Sequence, residues 1–269
     1  MDYPVYPTIA AALKSEKFQY VVIANETEKH YDTLDALKKG LFGEFVLVEK
    51  PLFFNPKDFQ RGSIKKIFVG YNLRFHPLIQ KLRRAVREEK CLSAQVYVGK
   101  YLPKWRPQTD YRAGYSARKS AGGGVLRDLS HEIDYLLWIF GAWTKVSAIG
   151  GHFSHLEIDS DDVFALLFAT EKCPAITLQL NYVDRANRRE IIVNTDKHTY
   201  GVDLVRNTYT CDETTELSAV DPDFTYQKEH QNILDHNEDV LCSYDEGFEV
   251  LKFIEAAEKS NGVFQGSLS

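Results

Sequence analysis

The chain has 269 residues, of which 44% are hydrophobic and 26% charged. This is the composition of an ordinary folded protein and excludes the disordered, collagen-like and disulfide-rich classes. Lysine and arginine number 33 against 38 aspartate and glutamate residues, which gives a formal net charge of −5. This charge disfavours a nucleic-acid partner, which needs a basic face. At this length a single core usually splits, so we expect two domains, or one domain and part of a second.

The cysteines and the N-terminal residues predict a location. The four cysteines lie more than thirty residues apart and form no Cys-x-x-Cys pair; they are Cys91, Cys173, Cys211 and Cys242. Free thiols in a reducing compartment are therefore expected. The first residues have no signal-peptide pattern, and the chain contains no run of eighteen apolar residues. We expect a cytoplasmic protein with no membrane partner.

The first third of the chain alternates predicted helices and strands. Short apolar runs such as YVVIA and FVLV are typical of buried parallel strands. The predicted elements are a helix at 8–17, a strand at 20–24, a helix at 25–40, and strands at 45–48 and 67–71. This order predicts a doubly wound parallel sheet of the Rossmann type. A helix with Pro77 in its first turn follows.

From residue 93 the hydrophobic period changes to two, as in strands that are joined by short polar turns. Alternating runs at 163–169, 176–182, 190–195 and 198–205 predict an antiparallel meander in a large open sheet. Residues 162–169 are apolar on both alternating faces, so helices are expected on one face and a second subunit on the other. Two closing helices are predicted at 224–242 and 246–260.

Lys50 is the strongest single candidate for a catalytic residue. It follows a predicted parallel strand, and ligands of open α/β sheets bind at the carboxyl ends of such strands. Pro51 restricts the turn that presents it, and a lysine there can transfer a proton. The alternative is an ordinary solvated lysine at a strand end. His30, on the helix after the first strand, either reaches the same edge or simply packs.

A glycine-led helix is the second candidate. Residues 122–141 read GGGVLRDLSHEIDYLLWIFG and predict a helix of about four turns. On one such helix the side chains of Asp128, His131 and Tyr135 would lie above one another. A carboxylate beside an imidazole orients the ring and raises its proton affinity, which suits the histidine for general acid–base catalysis. The alternative is an ion pair on the helix surface.

Two further segments carry polar and aromatic clusters. Residues 104–116 bring Trp105, Arg112 and Tyr115 into one loop. Aromatic faces and guanidinium groups suit a sugar or carboxylate ligand. The alternative is that the aromatic side chains are buried and only stabilise the loop. Histidines and carboxylates at 152–161 admit a metal site, but a solvated acidic loop is the better interpretation, and we predict no metal.

Three segments resemble the Gfo/Idh/MocA oxidoreductase family in order and context. They are VVIANETEKH, VLVEKPL with GYNLRFHP, and the glycine-led segment at 122–141. The resemblance implies a partial Rossmann domain at 1–72 and, at 73–269, a substrate-binding and dimerisation domain with a large open, mainly antiparallel sheet flanked by helices. It also implies oxidation or reduction of sugars with NAD or NADP. WRP, DYR and YSA further resemble a subgroup associated with bacterial surface-sugar synthesis.

The resemblance also implies roles for the candidate residues. Lys50 of the Glu-Lys-Pro motif becomes the proton-transfer lysine, His131 assists it, and Asp128 orients the histidine. The expected sugar ligands are Trp105, Arg112 and Tyr115. The expected contacts to the ribose and nicotinamide of the cofactor are Asn25, Glu26, His30 and Glu49. A homodimer or homotetramer through the open sheet is expected.

Two features depart from the family pattern. Only two residues separate Asp128 from His131, where the family has three. No Gly-x-Gly-x-x-Gly occurs in the sequence, so the usual anchor for a dinucleotide pyrophosphate is missing and a chain shortened at its N-terminus is expected. A non-catalytic sugar-binding or regulatory relative is therefore the alternative function. A hydrolase using Asp128 and His131 lacks any supporting motif.

Overall fold

The computed structural model describes residues 3–262. In this range the chain forms twelve strands and seven α-helices. The strands are β1 Tyr20–Ile23, β2 Phe45–Val48, β3 Lys66–Val69, β4 Cys91–Gly99, β5 Trp143–Gly151, β6 Val163–Thr170, β7 Ile176–Asn181, β8 Arg188–Thr195, β9 Thr199–Asp203, β10 Thr208–Cys211, β11 Thr214–Leu217 and β12 Cys242–Ser243. The helices are α1 Ile9–Ser15, α2 His30–Lys39, α3 Pro77–Ala85, α4 Val125–Asp128, α5 His131–Phe140, α6 Phe224–Leu234 and α7 Tyr244–Ser260.

The first sheet has the order β1-β2-β3-β12. Strands β1, β2 and β3 are parallel, as their short apolar runs predicted, and their carboxyl ends therefore lie at one edge. The predicted helix at 224–242 is too long, because α6 ends at Leu234 and residues 242–243 instead pair antiparallel with β3. The chain thus returns to the first sheet after completing the second.

The second sheet has the order β11-β10-β9-β8-β4-β7-β6-β5. The predicted alternating runs form four of its eight strands, β6 to β9, and antiparallel pairs predominate, as predicted. The prediction of a simple meander is wrong at one point: β4 lies between β7 and β8 and runs parallel to β7. Period-two patterning identifies a strand but does not identify its neighbour, so this insertion has no local signal.

One face of the second sheet is covered and the other is open in the single chain. Helix α7 packs on β5 and also on β3, so it bridges the two sheets. On the opposite face Ile149, Leu167 and Ile192 are 48%, 57% and 42% exposed. The expectation that both faces of β6 are apolar is therefore correct. Within residues 3–262 no helix combines the length and the hydropathy needed to cross a bilayer.

The prediction of one helix of about four turns after the three glycines at 122–124 is wrong. Residues 125–140 form two helices, α4 and α5, that break at Leu129 and Ser130. Helix α4 is one turn long and begins at Val125. Its first turn is capped by Asp161, whose carboxylate accepts from the amide of Leu126 at 3.0 Å. Gly124 has φ 117°, and a Cβ there would lie 2.3 Å from that carboxylate. A side chain at Gly124 would therefore displace Asp161 and remove this cap. The contact between Gly124 and Asp161 joins distant residues and has no local signal in the sequence.

A buried ion pair joins the two sheets. Arg74, which follows β3, donates to Asp134 of α5 at 2.7 Å, and both side chains are at most 2% exposed. A second guanidinium nitrogen donates to Glu246 of α7 at 2.8 Å. Because three elements share one guanidinium group, the edge of the first sheet is fixed relative to the helices of the second.

Candidate functional site

A cavity of about 990 Å³ lies between the carboxyl edge of the first sheet and the second sheet. Nine of the ten predicted site residues line it. The first wall comes from the ends of β1 and β2 and from α2, and comprises Asn25, Glu26, His30, Glu49 and Lys50. The second wall comes from the loop after β4, helices α4 and α5, and β8, and comprises Trp105, Tyr115, Asp128, His131 and Arg189.

Lys50 joins the two walls. It lies two residues after β2, and its Nζ donates to the main-chain oxygen of Asp128 at 2.5 Å. Burial lowers the pKa of Lys50, while the negative charges of Asp128 and Glu49 act in the opposite direction. A lysine with a lowered pKa is easier to deprotonate near neutral pH than a solvated one. The interpretation of Lys50 as a solvated strand-end lysine therefore does not fit.

Asp128 contacts a tyrosine rather than the predicted histidine. The Tyr182 hydroxyl donates to its Oδ2 at 2.6 Å, and no hydrogen bond to His131 occurs among residues 3–262. The cause is the helix break, which places Asp128 at the end of α4 and His131 at the start of α5. Burial and the Asp128 charge together raise the pKa of Tyr182 well above its usual range, so the hydroxyl keeps its proton and donates it.

His131 has an unsatisfied ring nitrogen. Its Nδ1 is buried and has no hydrogen-bond partner within the described residues. The ring packs edge-on against Tyr71 with 5.6 Å between centroids. Burial, with the positive charges of Lys50 and Arg189, holds the pKa of His131 well below its usual range. The imidazole is therefore neutral at pH 7 and retains one nitrogen that can accept a proton.

The turns of the first wall are tied together by His30. Its ring is 1% exposed, with Nδ1 3.1 Å from the Pro51 carbonyl and Nε2 3.0 Å from the Asn25 carbonyl. Each nitrogen lies within hydrogen-bond distance of a main-chain carbonyl, and the nitrogen that carries the proton donates to its neighbour. The buried ring thus lies between the turn after β1 and the turn after β2. Glu26, by contrast, is exposed and pairs with Lys29 at 2.9 Å.

Arg112 lies outside the cavity, which departs from its predicted place. It forms exposed ion pairs with Asp110 and Glu157, each at 2.9 Å, and its side chain is 52% exposed. A carboxylate two residues away is a nearer partner than the cavity, so the guanidinium folds back onto its own loop. Arg106, from the same loop, lines the cavity instead.

The carboxylates at 152–161 do not gather around a metal position. Asp161 caps α4, and Asp159 accepts from the main-chain amide of Lys119 at 2.6 Å. Within the described residues, three donor side chains of metal-ligand type come together only at His198, Cys211 and Asp212, on the far strands of the second sheet. The acidic segment therefore serves loop structure.

Sequence reasoning missed a buried ion pair of the second wall. Arg189 lies on β8 and lines the cavity, and it donates to both oxygens of Glu132 at 2.7 and 3.0 Å. Glu132 is fully buried, one residue after His131. The available signal was the pair Arg188 and Arg189 at the start of a strand, because alternation sends two successive arginines to opposite faces.

Comparisons with known proteins were made on sequence and on structure. Residues 79–201 match the family model of the GFO/IDH/MocA C-terminal domain. An uncharacterized oxidoreductase of Synechocystis sp. is 25% identical over 150 residues, a match that covers 53% of this chain and 40% of the relative. The chain thus spans less than half the length of that relative.

Solved structures share the fold. UDP-N-acetylglucosamine 3-dehydrogenase GnnA from Acidithiobacillus ferrooxidans superposes with a TM-score of 0.77 at 19% identity, covering 97% of this chain and 83% of GnnA. The WlbA dehydrogenase from Bordetella pertussis, solved with NADH and UDP-GlcNAcA, gives a TM-score of 0.73 at 17% identity, covering 94% of this chain and 80% of WlbA. At these identities the likeness establishes the fold.

Proposed function

We propose that this chain, whose residues 79–201 match the family model of the GFO/IDH/MocA C-terminal domain, transfers hydride between NAD or NADP and a hydroxyl or carbonyl group of a sugar or sugar derivative. The observation that carries this proposal is the position of Lys50. A desolvated lysine at a strand end faces Asp128 and a neutral His131 across one cavity. The names of GnnA and WlbA, which act on or bind UDP-sugars, support a sugar substrate.

The first wall fits one end of a nicotinamide cofactor. In open α/β sheets, ligands bind at the carboxyl ends of the strands, and the cavity opens at this edge. Asn25, Glu26 and Glu49 are the residues that would hold the ribose and nicotinamide, and His30, which is expected to do so by the family resemblance, instead positions the turns that carry them. The sequence contributes no glycine fingerprint for the pyrophosphate. A nicotinamide cofactor supplies the acceptor or donor of the hydride; the residues of this chain supply the proton transfer.

In the oxidation direction Lys50 takes the proton of the sugar hydroxyl. Burial favours its neutral form, in which Nζ can accept that proton. The main-chain oxygen of Asp128 holds Nζ in place, and Tyr182 holds the Asp128 carboxylate. We thus replace the expected Asp128–His131 pair by an Asp128–Tyr182 pair that positions Lys50. Neutral His131 serves as a second proton acceptor in the same cavity.

The second wall holds the sugar. Trp105 and Tyr115 offer aromatic surfaces and a hydroxyl group, and both line the cavity. We propose Arg106 as the guanidinium ligand in place of Arg112. A substrate from bacterial surface-sugar synthesis is proposed on the resemblance of the WRP, DYR and YSA segments.

The open face of the second sheet supports a homodimer or homotetramer. Three apolar side chains, those of Ile149, Leu167 and Ile192, are exposed on strands β5, β6 and β8 of this face. A second copy of the chain would cover them. Light scattering with wild type and Leu167→Glu tests this, since a monomeric wild type would contradict it. A cytoplasmic location is proposed because all four cysteines are free thiols.

Cofactor binding and turnover test the proposal together. Titration calorimetry of the 269-residue chain with NADH and NADPH should give binding that weakens in Lys50→Ala, and a screen of sugars and UDP-sugars should then give absorbance changes at the nicotinamide band. The absent glycine fingerprint favours a second candidate, a non-catalytic sugar-binding protein. That candidate predicts stabilisation by a sugar without cofactor binding at millimolar concentration.

A further inference from the structure

Two cysteines far apart in the sequence meet in the second sheet. The Sγ atoms of Cys91 and Cys173 lie 3.0 Å apart, although 82 positions separate them along the chain. Cys91 begins β4, and Cys173 lies in the turn between β6 and β7. The two residues are 4% and 0% exposed. A separation of 3.0 Å is about 1 Å longer than a disulfide bond, so a small movement would bring the sulfurs to bonding distance.

Local structure aims both thiols at each other. The β4–β8 pairing has a bulge between Cys91 and Ser93, and without this extra residue strand alternation would turn Cys91 away from the buried side of Ala94. The turn after β6 is closed by Thr170, whose amide donates to the Cys173 carbonyl at 2.9 Å and whose hydroxyl accepts from the Cys173 amide at 3.1 Å. Both positions are therefore fixed by backbone pairing.

A basic groove leads to Cys91. A cavity of about 630 Å³ has Cys91 in its lining, together with five cationic side chains, those of Arg83, Arg84, Arg87, Lys90 and Lys172. The acidic group in the lining, Glu89, already accepts from the hydroxyls of Thr195 and Tyr200. The groove is therefore suited to a small anionic molecule, and glutathione disulfide is an anionic disulfide.

We propose that Cys91 and Cys173 form a reversible disulfide by exchange with an anionic disulfide of the glutathione class that enters through the basic groove. The hydrogen bond from the Cys91 thiol to Cys173 lowers the pKa of Cys173. The same hydrogen bond and burial raise the pKa of Cys91. Transfer of its proton to Cys173 across the 3.0 Å contact places the reactive thiolate on Cys91, the residue of the pair that lines the groove.

The exchange balances in two steps. The Cys91 thiolate attacks one sulfur of glutathione disulfide, which forms a mixed disulfide and releases one glutathione thiolate. That thiolate takes the proton from Cys173, and the Cys173 thiolate then displaces the second glutathione from Cys91. Two protein sulfurs are oxidised and two glutathione molecules are released reduced. The bond closes residues 91–173, the segment that carries Asp128 and His131 of the second wall.

Thiol counting on the folded chain tests the pair. Incubation of the reduced protein with glutathione disulfide should lower the thiol count, measured after unfolding, from four to two. Non-reducing peptide mapping should show a peptide that joins Cys91 to Cys173, and dithiothreitol should restore four thiols. Four remaining thiols, or a cross-link to another cysteine, would overturn the proposal.

Single substitutions separate the two steps. Cys173→Ser should accumulate glutathione on Cys91, because the resolving thiol is gone, and Cys91→Ser should leave Cys173 unmodified. Cys211→Ser is the matched control and should still form the cross-link. Circular dichroism verifies folding, and Cys→Ala variants replace any serine variant that does not fold. Glutathione on Cys173 in Cys91→Ser would contradict the assigned order.

The charge of the groove has its own test. Cystamine is a cationic disulfide of similar chemistry, and at low ionic strength it should form the cross-link several-fold more slowly than glutathione disulfide. Equal rates would overturn the groove as the route.

Discussion

The two walls of the cavity are built in different ways. Most of the first wall comes from short sequence segments that end β1 and β2, so Asn25, Glu49 and Lys50 are near their strands along the chain as well as in space. The second wall draws on residues that are dispersed between 105 and 189 and joined by contacts such as Tyr182 to Asp128. The first wall therefore presents the proposed proton-transfer lysine in a local motif, while the second wall sets the electrostatic environment of that lysine.

The largest expected effect tests Lys50, the proposed proton-transfer residue of the first wall. Lys50→Met keeps an apolar stem of similar length but removes the ammonium, and we expect kcat/KM for sugar oxidation to fall about 100-fold or more because proton transfer is lost. Lys39→Met is the matched control, since the side chain of Lys39 is 76% exposed on α2. Steady-state kinetics measure both, and a change below about threefold in Lys50→Met would remove Lys50 from the mechanism.

His76, a buried histidine that lines the cavity, should make the folded protein less stable at acid pH. Burial and the nearby charge of Arg189 lower the pKa of His76 to about 4, while the unfolded residue titrates near its ordinary value. Between those values the unfolded chain binds more protons, so stability falls as pH decreases from about 6.5 towards 4. Allowing for partial solvent screening, His76 contributes a loss of about 2 kcal/mol.

His76→Asn tests this contribution. The His76 ring accepts from the amide of Leu78 at the start of α3, and an asparagine oxygen can take over that cap. Urea unfolding at pH 7.5 and 4.5 should show a smaller acid loss in His76→Asn than in wild type. Equal losses would mean that other groups, such as His131, account for the acid sensitivity.

The positioning role within the second wall has a smaller expected effect. Tyr182→Phe removes the hydroxyl that donates to Asp128, and we expect kcat to fall about tenfold with little change in KM, because Lys50 is held less well. The pH profile of kcat should shift as well. Tyr200→Phe is the control, since its hydroxyl donates to Glu89 at 3.0 Å outside the cavity. Equal kinetic effects of the two substitutions would indicate a purely structural role for Tyr182.

The smallest expected effect is a difference in KM between substitutions of two arginines in the same loop, Arg112 and Arg106. Arg112→Ala should change KM by less than about twofold and stability by less than about 1 kcal/mol, because its ion pairs are exposed. Arg106→Ala, in the same loop, should raise KM for the sugar. A larger KM change in Arg112→Ala than in Arg106→Ala would restore the sequence prediction for Arg112.

The sequence by itself determined what depends on local pattern. Apolar runs and period-two alternation predicted the parallel strands of the first sheet and four of the eight strands of the second, and the Glu-Lys-Pro motif placed Lys50 at the end of β2. These signals are local because a strand's burial and a turn's geometry are set by neighbouring residues. The identities of nine cavity residues followed from such segments and from the family resemblance.

The tertiary structure decided what depends on distant partners. The break at Leu129, the Tyr182–Asp128 pair and the buried Arg189–Glu132 pair each need a residue from another element. The low pKa of His131 likewise arises from burial and from the charges of Lys50 and Arg189, which only folding brings near. Periodicity assigns a residue to a face, but the desolvation and the facing charges that set its chemistry are properties of the assembled cavity.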